Sequence, residues 1–142
     1  MSVRIVSIVV ALVVASANAQ EQKPNFTGAW VLAAPADAAA RNPGQVERIT
    51  QTADTLTRGH DSEGGGHKLT YKLDGTETEN RVAGMRVVSR ATWEGPTLIL
   101  TDRAHTASGA LRETTLVLSL NENGELLMGG KGDAPKWTYR KK

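Results

Sequence analysis

The chain contains no cysteine in its 142 residues, which excludes disulfide bonds, thiolate metal sites and a lipid-anchored lipoprotein N-terminus. No run of about 20 apolar residues, the length of a membrane-spanning helix, occurs in the sequence. The 17 Lys+Arg and 15 Asp+Glu nearly balance, so we expect no nucleic-acid binding and no basic membrane anchor. One hydrophobic core must therefore stabilise the fold.

Catalytic motifs are also missing from the sequence. There is no serine in a nucleophile elbow and no HExxH zinc motif, and Gly129-Gly130-Lys131-Gly132 lacks the spacing of a phosphate-binding loop. The sequence therefore predicts a protein that is not an enzyme and that needs no cofactor.

The first residues, Met1–Ala19, are typical of a signal peptide. Arg4 provides a positive start, Ile5–Val14 is a short apolar segment, and Ala17-Asn18-Ala19 is a small-x-small cleavage site. We expect export to a periplasm or secretion, with Gln20–Lys142 as one monomeric domain.

The remainder of the chain alternates apolar and polar residues between glycine-containing turns such as Asp74-Gly75 and Asn123-Gly124. One short helical turn is expected after the first strand, at about Ala36 to Arg41, with Asp37 as its N-cap. No long helical periodicity occurs. The pattern predicts an all-β fold, a single antiparallel up-and-down β-barrel of about eight to ten strands.

The opening strand resembles that of the calycins, the lipocalins and fatty-acid-binding proteins. It reads Phe26-x-Gly28-x-Trp30-x-Leu32. The resemblance implies that Trp30 closes the barrel base, with Arg140 or Lys141 of the last strand packed across it. Gly28, Trp30, Trp137 and Arg140 are thus expected at the seam between the first and last strands. The pattern is also similar to small exported bacterial lipocalin-like proteins.

The C-terminal half resembles fatty-acid-binding proteins at Arg112–Val117, Asn123–Leu127 and Thr138–Lys141. However, the two arginines that bind the fatty-acid carboxylate in that family align with Leu118 and Trp137, and only the accompanying tyrosine, Tyr139, is kept. Burying a carboxylate without cations is costly. The resemblance therefore implies the fold and not fatty-acid binding.

Strand parity defines a candidate interior binding site. Asp102 shares a face with Leu98 and Leu100, and Arg112 shares one with Leu116 and Leu118, so the two charges are expected to pair near the barrel mouth. The pair is interpreted either as an anchor for a ligand or as a structural rim pair. The candidate ligand-binding residues are Tyr71, Trp93, Leu100, Asp102, Arg112, Leu118 and Tyr139.

The interior is compatible with two functions. The aromatic residues could line a cavity for a small, mainly apolar ligand, or they could fill a barrel that acts through its surface in the cell envelope, as a protein-binding or inhibitor module. A cluster of residues that can bind metal surrounds Gly64–Gly66 in the sequence: His60, Asp61, Glu63 and His67. Its residue types suit zinc, but a triglycine loop is not a rigid scaffold, so we interpret it as a solvated hairpin tip and expect no metal site.

Overall fold

The computed structural model describes residues 22–41, 45–60 and 66–142. These residues form ten strands and one short helix. The elements are β1 (Gly28–Ala34), α1 (Ala36–Arg41), β2 (Val46–Gln51), β3 (Thr55–His60), β4 (Lys68–Lys72), β5 (Thr78–Val82), β6 (Met85–Glu94), β7 (Thr97–His105), β8 (Leu111–Leu120), β9 (Leu126–Gly129) and β10 (Lys136–Lys141).

All ten strands belong to one antiparallel sheet that curls into a nearly closed barrel. Its order is β4-β3-β2-β1-β10-β9-β8-β7-β6-β5, so the first and last strands of the chain pair in the middle of the sheet. The two ends of the sheet, β4 and β5, lie next to each other without a backbone ladder. The all-β barrel with one short helix after the first strand is therefore confirmed.

The core lies inside the barrel because alternate residues of each strand point inward. Where β6, β7 and β8 pair, for example, Ala91 lies opposite Leu100, which lies opposite Leu116. One group of buried residues fills much of the interior: Phe26, Trp30, Ile49, Leu56, Tyr71, Ala91, Leu98, Leu100, Leu118, Leu126 and Met128.

The aromatic residues just before and within the start of β1 close one end of the barrel. Trp30 is 1% exposed, and its Nε1 donates a hydrogen bond to the Phe26 carbonyl at 2.9 Å. Phe26 in turn stacks on Trp93 with the ring centroids 6.0 Å apart. At Gly28 a Cβ atom would lie 3.2 Å from Trp30 Nε1, so a small residue is favoured beside the indole.

The residue that packs across Trp30 is Lys141. Its Nζ lies 5.4 Å from the centroid of the Trp30 ring, and the two residues are register partners in β10 and β1. Arg140 is also in the seam, opposite Val31, but its side chain is exposed and donates to Glu125 at 2.7 Å. Of the two residues that the resemblance implied, only the lysine contacts the indole.

Trp137 was expected at the seam, and that prediction is wrong. In β10 the residues paired with β1 are Thr138–Lys141, whereas Trp137 lies opposite Met128 of β9. Its side chain is 44% exposed at the end of the barrel away from Trp30. The pairing with β1 stops before Trp137 because the register shifts between Leu32 and Ala34.

The helix occupies the predicted residues, but its start differs in detail. The Pro35 carbonyl accepts hydrogen bonds from the N–H groups of Ala38 and Ala39, and Asp37 lies inside the first turn, 3.8 Å from Arg41. No helix within the described ranges is long and apolar enough to span a membrane. The expected signal peptide, Met1–Ala19, lies outside the described residues.

Candidate functional site

A cavity of about 590 Å³ opens at the end of the barrel where β2 and β10 begin and β3 ends. We call it the mouth cavity. Its apolar and aromatic lining comes from Leu116, Met128, Trp137 and Tyr139, and its charged and imidazole lining comes from Glu47, Arg58 and His60. Apolar walls with a few converging polar groups are typical of a small-molecule site.

Glu47 and Arg58 form the ion pair of the mouth cavity. Both side chains point into the barrel from the neighbouring strands β2 and β3, and Arg58 Nε donates to Glu47 Oε1 at 2.9 Å. Glu47 is only 5% exposed. Burial opposes the charge of Arg58, but the negative charges of Glu47 and Asp102, together with Tyr71, overcome it, so the pKa of Arg58 lies above its ordinary value.

A second polar group lies next to Arg58, deeper in the barrel. Tyr71 Oη donates to Asp102 Oδ2 at 2.8 Å, and Ser89 Oγ donates to Asp102 Oδ1 at 2.6 Å. Burial and then the charge of Asp102 raise the pKa of Tyr71, so the phenol keeps its proton and remains a donor. Glu47 and Asp102 thus supply two negative charges around one cation.

Asn80 connects this group to the gap in the sheet. Its Nδ2 donates to Ser89 Oγ and to the Thr70 carbonyl, each at 2.9 Å. Its Oδ1 accepts from the Thr70 N–H at 2.9 Å. The Asn80 amide therefore pairs with the backbone of β4 as a peptide group of a neighbouring strand would. A chain of side-chain hydrogen bonds continues from Asn80 through Ser89 and Asp102 to Tyr71, which also belongs to β4.

The expected ion pair between Asp102 and Arg112 is not formed. Both residues belong to the described part of the chain, where Asp102 accepts from Tyr71 and Ser89 and Arg112 is exposed. In the register of β7 and β8, Asp102 lies opposite Thr114. Arg112 lies two residues from Thr114, toward the rim of the barrel, and is opposite Ala104. The charge that faces Asp102 is Arg58 of β3, across the barrel.

The other predicted ligand-binding residues are spread over the barrel. Tyr139 lines the mouth cavity, and its pKa is raised by burial and then by the charge of Glu47. Leu100 and Leu118 are fully buried in the core, and Trp93 lies at the closed end against Phe26. Tyr71 belongs to the polar group next to Arg58.

Sequence reasoning missed Glu47 and Arg58. A signal was present, because Glu47 shares inward parity with Ile49, and Arg58 shares it with Leu56. A charged residue on the apolar face of a strand is expensive to bury and therefore points to a function or to a partner.

The histidine loop is described only at its ends. The rings of His60 and His67 meet edge to face with centroids 4.4 Å apart, and His60 Nδ1 lies 3.7 Å from Glu47 Oε2. Asp61 and Glu63 lie outside the described residues. Within the ranges that the structure describes, no three His, Cys, Asp or Glu residues are grouped to hold a metal ion.

Comparison with known proteins supports the fold. No protein-family model matches the chain, and no curated protein is similar to it in sequence. Among solved structures, the chain is similar to secretory abundant heat soluble protein 4 from Ramazzottius varieornatus. The TM-score is 0.56 with 17% identity, over 82% of this chain and 94% of that chain. At that identity the likeness extends to the barrel fold alone.

Proposed function

We propose that this chain is a calycin-like binding protein that holds a small, mainly apolar molecule in the mouth cavity without transforming it. The observation that carries the proposal is the cavity itself. Its volume of about 590 Å³ lies within the usual range for small-molecule sites, about 300–1,000 Å³. Leu116, Met128, Trp137 and Tyr139 provide the apolar area that such a ligand would bury.

The charges of the site support a preference against anionic ligands. Arg58 is already bound by Glu47 and faces Asp102, so no unpaired cation lines the cavity among the described residues. A carboxylate placed there would lose its hydration and meet two like charges, at a cost of several kcal/mol. A neutral ligand with the same apolar tail avoids that cost.

The test compares 1-dodecanol with dodecanoate by titration calorimetry, below the concentrations at which they aggregate. We expect the alcohol to bind more tightly than the acid. Leu116→Trp should fill the cavity and abolish binding, whereas Thr92→Trp, which adds the same ring on the exposed outer face of β6, should leave it unchanged. Tighter binding of the acid would overturn the polarity argument.

Failure of every ligand to bind would overturn the proposed function. It would favour the alternative function, in which the barrel is filled and acts through its surface on a protein partner in the envelope. We also propose that the chain is exported, on the pattern of Met1–Ala19.

A further inference from the structure

Several residues that line the mouth cavity carry a polar side-chain atom with no hydrogen-bond partner in the described part of the chain. Among these atoms are Tyr139 Oη, Trp137 Nε1 and Glu47 Oε2. The Glu47 carboxylate is the informative one, because Arg58 takes only Oε1, and Oε2 has its nearest ionic neighbour, His60 Nδ1, at 3.7 Å. That distance is too long for a hydrogen bond, so a nearly buried carboxylate oxygen remains available to a donor.

Aromatic rings line the same cavity as this carboxylate. Trp137, Tyr139 and His60 all line the mouth cavity together with Glu47, and Trp137 keeps 44% of its surface exposed there. The faces of indole and phenol rings carry negative electrostatic potential and attract cations, most strongly where water is partly excluded.

The charges in and next to the mouth cavity leave an excess negative charge. Glu47 and Asp102 contribute two carboxylates, and Arg58 contributes the one permanent cation. Arg58 donates to Glu47 and its positive charge also interacts with the negative charge of Asp102, so the cation is already committed to carboxylates of the protein. The unsatisfied oxygen, the ring faces and the charge balance all favour the same kind of head group.

We infer that the mouth cavity binds an amphiphile with a primary ammonium head group, held by the free oxygen of Glu47 and the ring faces of Trp137 and Tyr139. The inference rests on the proposed binding function and adds the ligand's charge to it. The ammonium N–H groups donate to Glu47 Oε2, and the alkyl chain packs against Leu116 and Met128.

The experiment compares dodecylamine, 1-dodecanol and dodecanoate at one ionic strength by titration calorimetry with the purified protein. We expect the amine to bind about tenfold more tightly than the alcohol, a difference equivalent to ~1.4 kcal/mol. In Glu47→Gln the two ligands should bind almost equally. The matched control is Glu122→Gln, which removes the same charge from an exposed turn and should keep the wild-type ratio.

Trp137→Leu provides an independent variant, because its exposed position makes the change tolerable even if Glu47→Gln does not fold. It should weaken amine binding more than alcohol binding. Equal or weaker binding of the amine by the wild type, with the alcohol still bound, would refute the inference and leave the proposed function standing. Binding of none of the three ligands would refute both.

Discussion

At the scale of single residues, similar side chains have different roles according to their position in the barrel. Trp30 and Trp137 are both tryptophans near the ends of the first and last strands. Trp30 is buried against Phe26 and under Lys141, whereas Trp137 is exposed at the mouth cavity. The first is therefore expected to contribute to stability and the second to binding.

Trp30→Ala should lower the free energy of unfolding by about 3–5 kcal/mol, because it removes a large buried aromatic side chain and its hydrogen bond to Phe26. Urea-induced unfolding monitored by circular dichroism measures the change. The matched control is Trp137→Ala, which should have a much smaller effect since that ring is already half exposed to water. Equal losses in the two variants would contradict this description of the closed end.

At the scale of elements, β5 is a strand without the sequence pattern of one. Its inward residues are Thr78, Asn80 and Val82, so the strand lacks the apolar alternation on which strand prediction depends. The polar residues have a structural reason, because Asn80 bonds to the backbone of β4 where the sheet has no ladder. The amide of Asn80 thus connects β5 to β4 across the gap.

Asn80→Ala should destabilise the barrel by roughly 1–3 kcal/mol, because it leaves the N–H and carbonyl groups of Thr70 without their partner. Hydrogen exchange provides the specific readout, since the Thr70 amide should lose protection while amides in the β1–β10 seam keep theirs. Glu79→Ala, on the outer face of the same strand, is the control. Unchanged exchange at Thr70 would show that the gap is held by other contacts.

At the scale of the whole molecule, the fold leaves little backbone available for pairing with another copy. Strand edges at the ends of a sheet promote association unless they are covered. Here β4 and β5 are the two ends of the sheet, and they lie against each other across the Asn80 bridge. The near closure of the barrel therefore disfavours a dimer formed through strand pairing.

We accordingly expect the protein to be a monomer, and the proposed export predicts a mature chain that begins near Gln20. Size-exclusion chromatography with light scattering gives the molecular mass in solution, and intact-mass spectrometry gives the N-terminus. Asn80→Ala should increase association, since it loosens the covered edges. A stable dimer of the wild type, or exported protein that still contains Met1, would contradict this expectation.

Much of the fold was predictable because it depends on local patterns. Alternating inward leucines in β7 and β8 and the Asn123-Gly124 turn predict paired strands without knowledge of their neighbours. Trp30 at the base of the barrel followed from the resemblance. The helix at Ala36–Arg41 followed from its alanines and the residues that flank them.

The sequence by itself determined most of the secondary structure, the barrel class and the faces of most strands, because periodicity acts over a few neighbouring residues. Only the tertiary structure decided which charges meet. The charge of Asp102 interacts with Arg58 and not with Arg112, because curling of the sheet brings β3 across the barrel from β7. The alternation of residues within the β7–β8 hairpin carries no information about a strand so distant in the sequence. The mouth cavity has the same origin, since Glu47, Leu116 and Tyr139 converge only when the barrel closes.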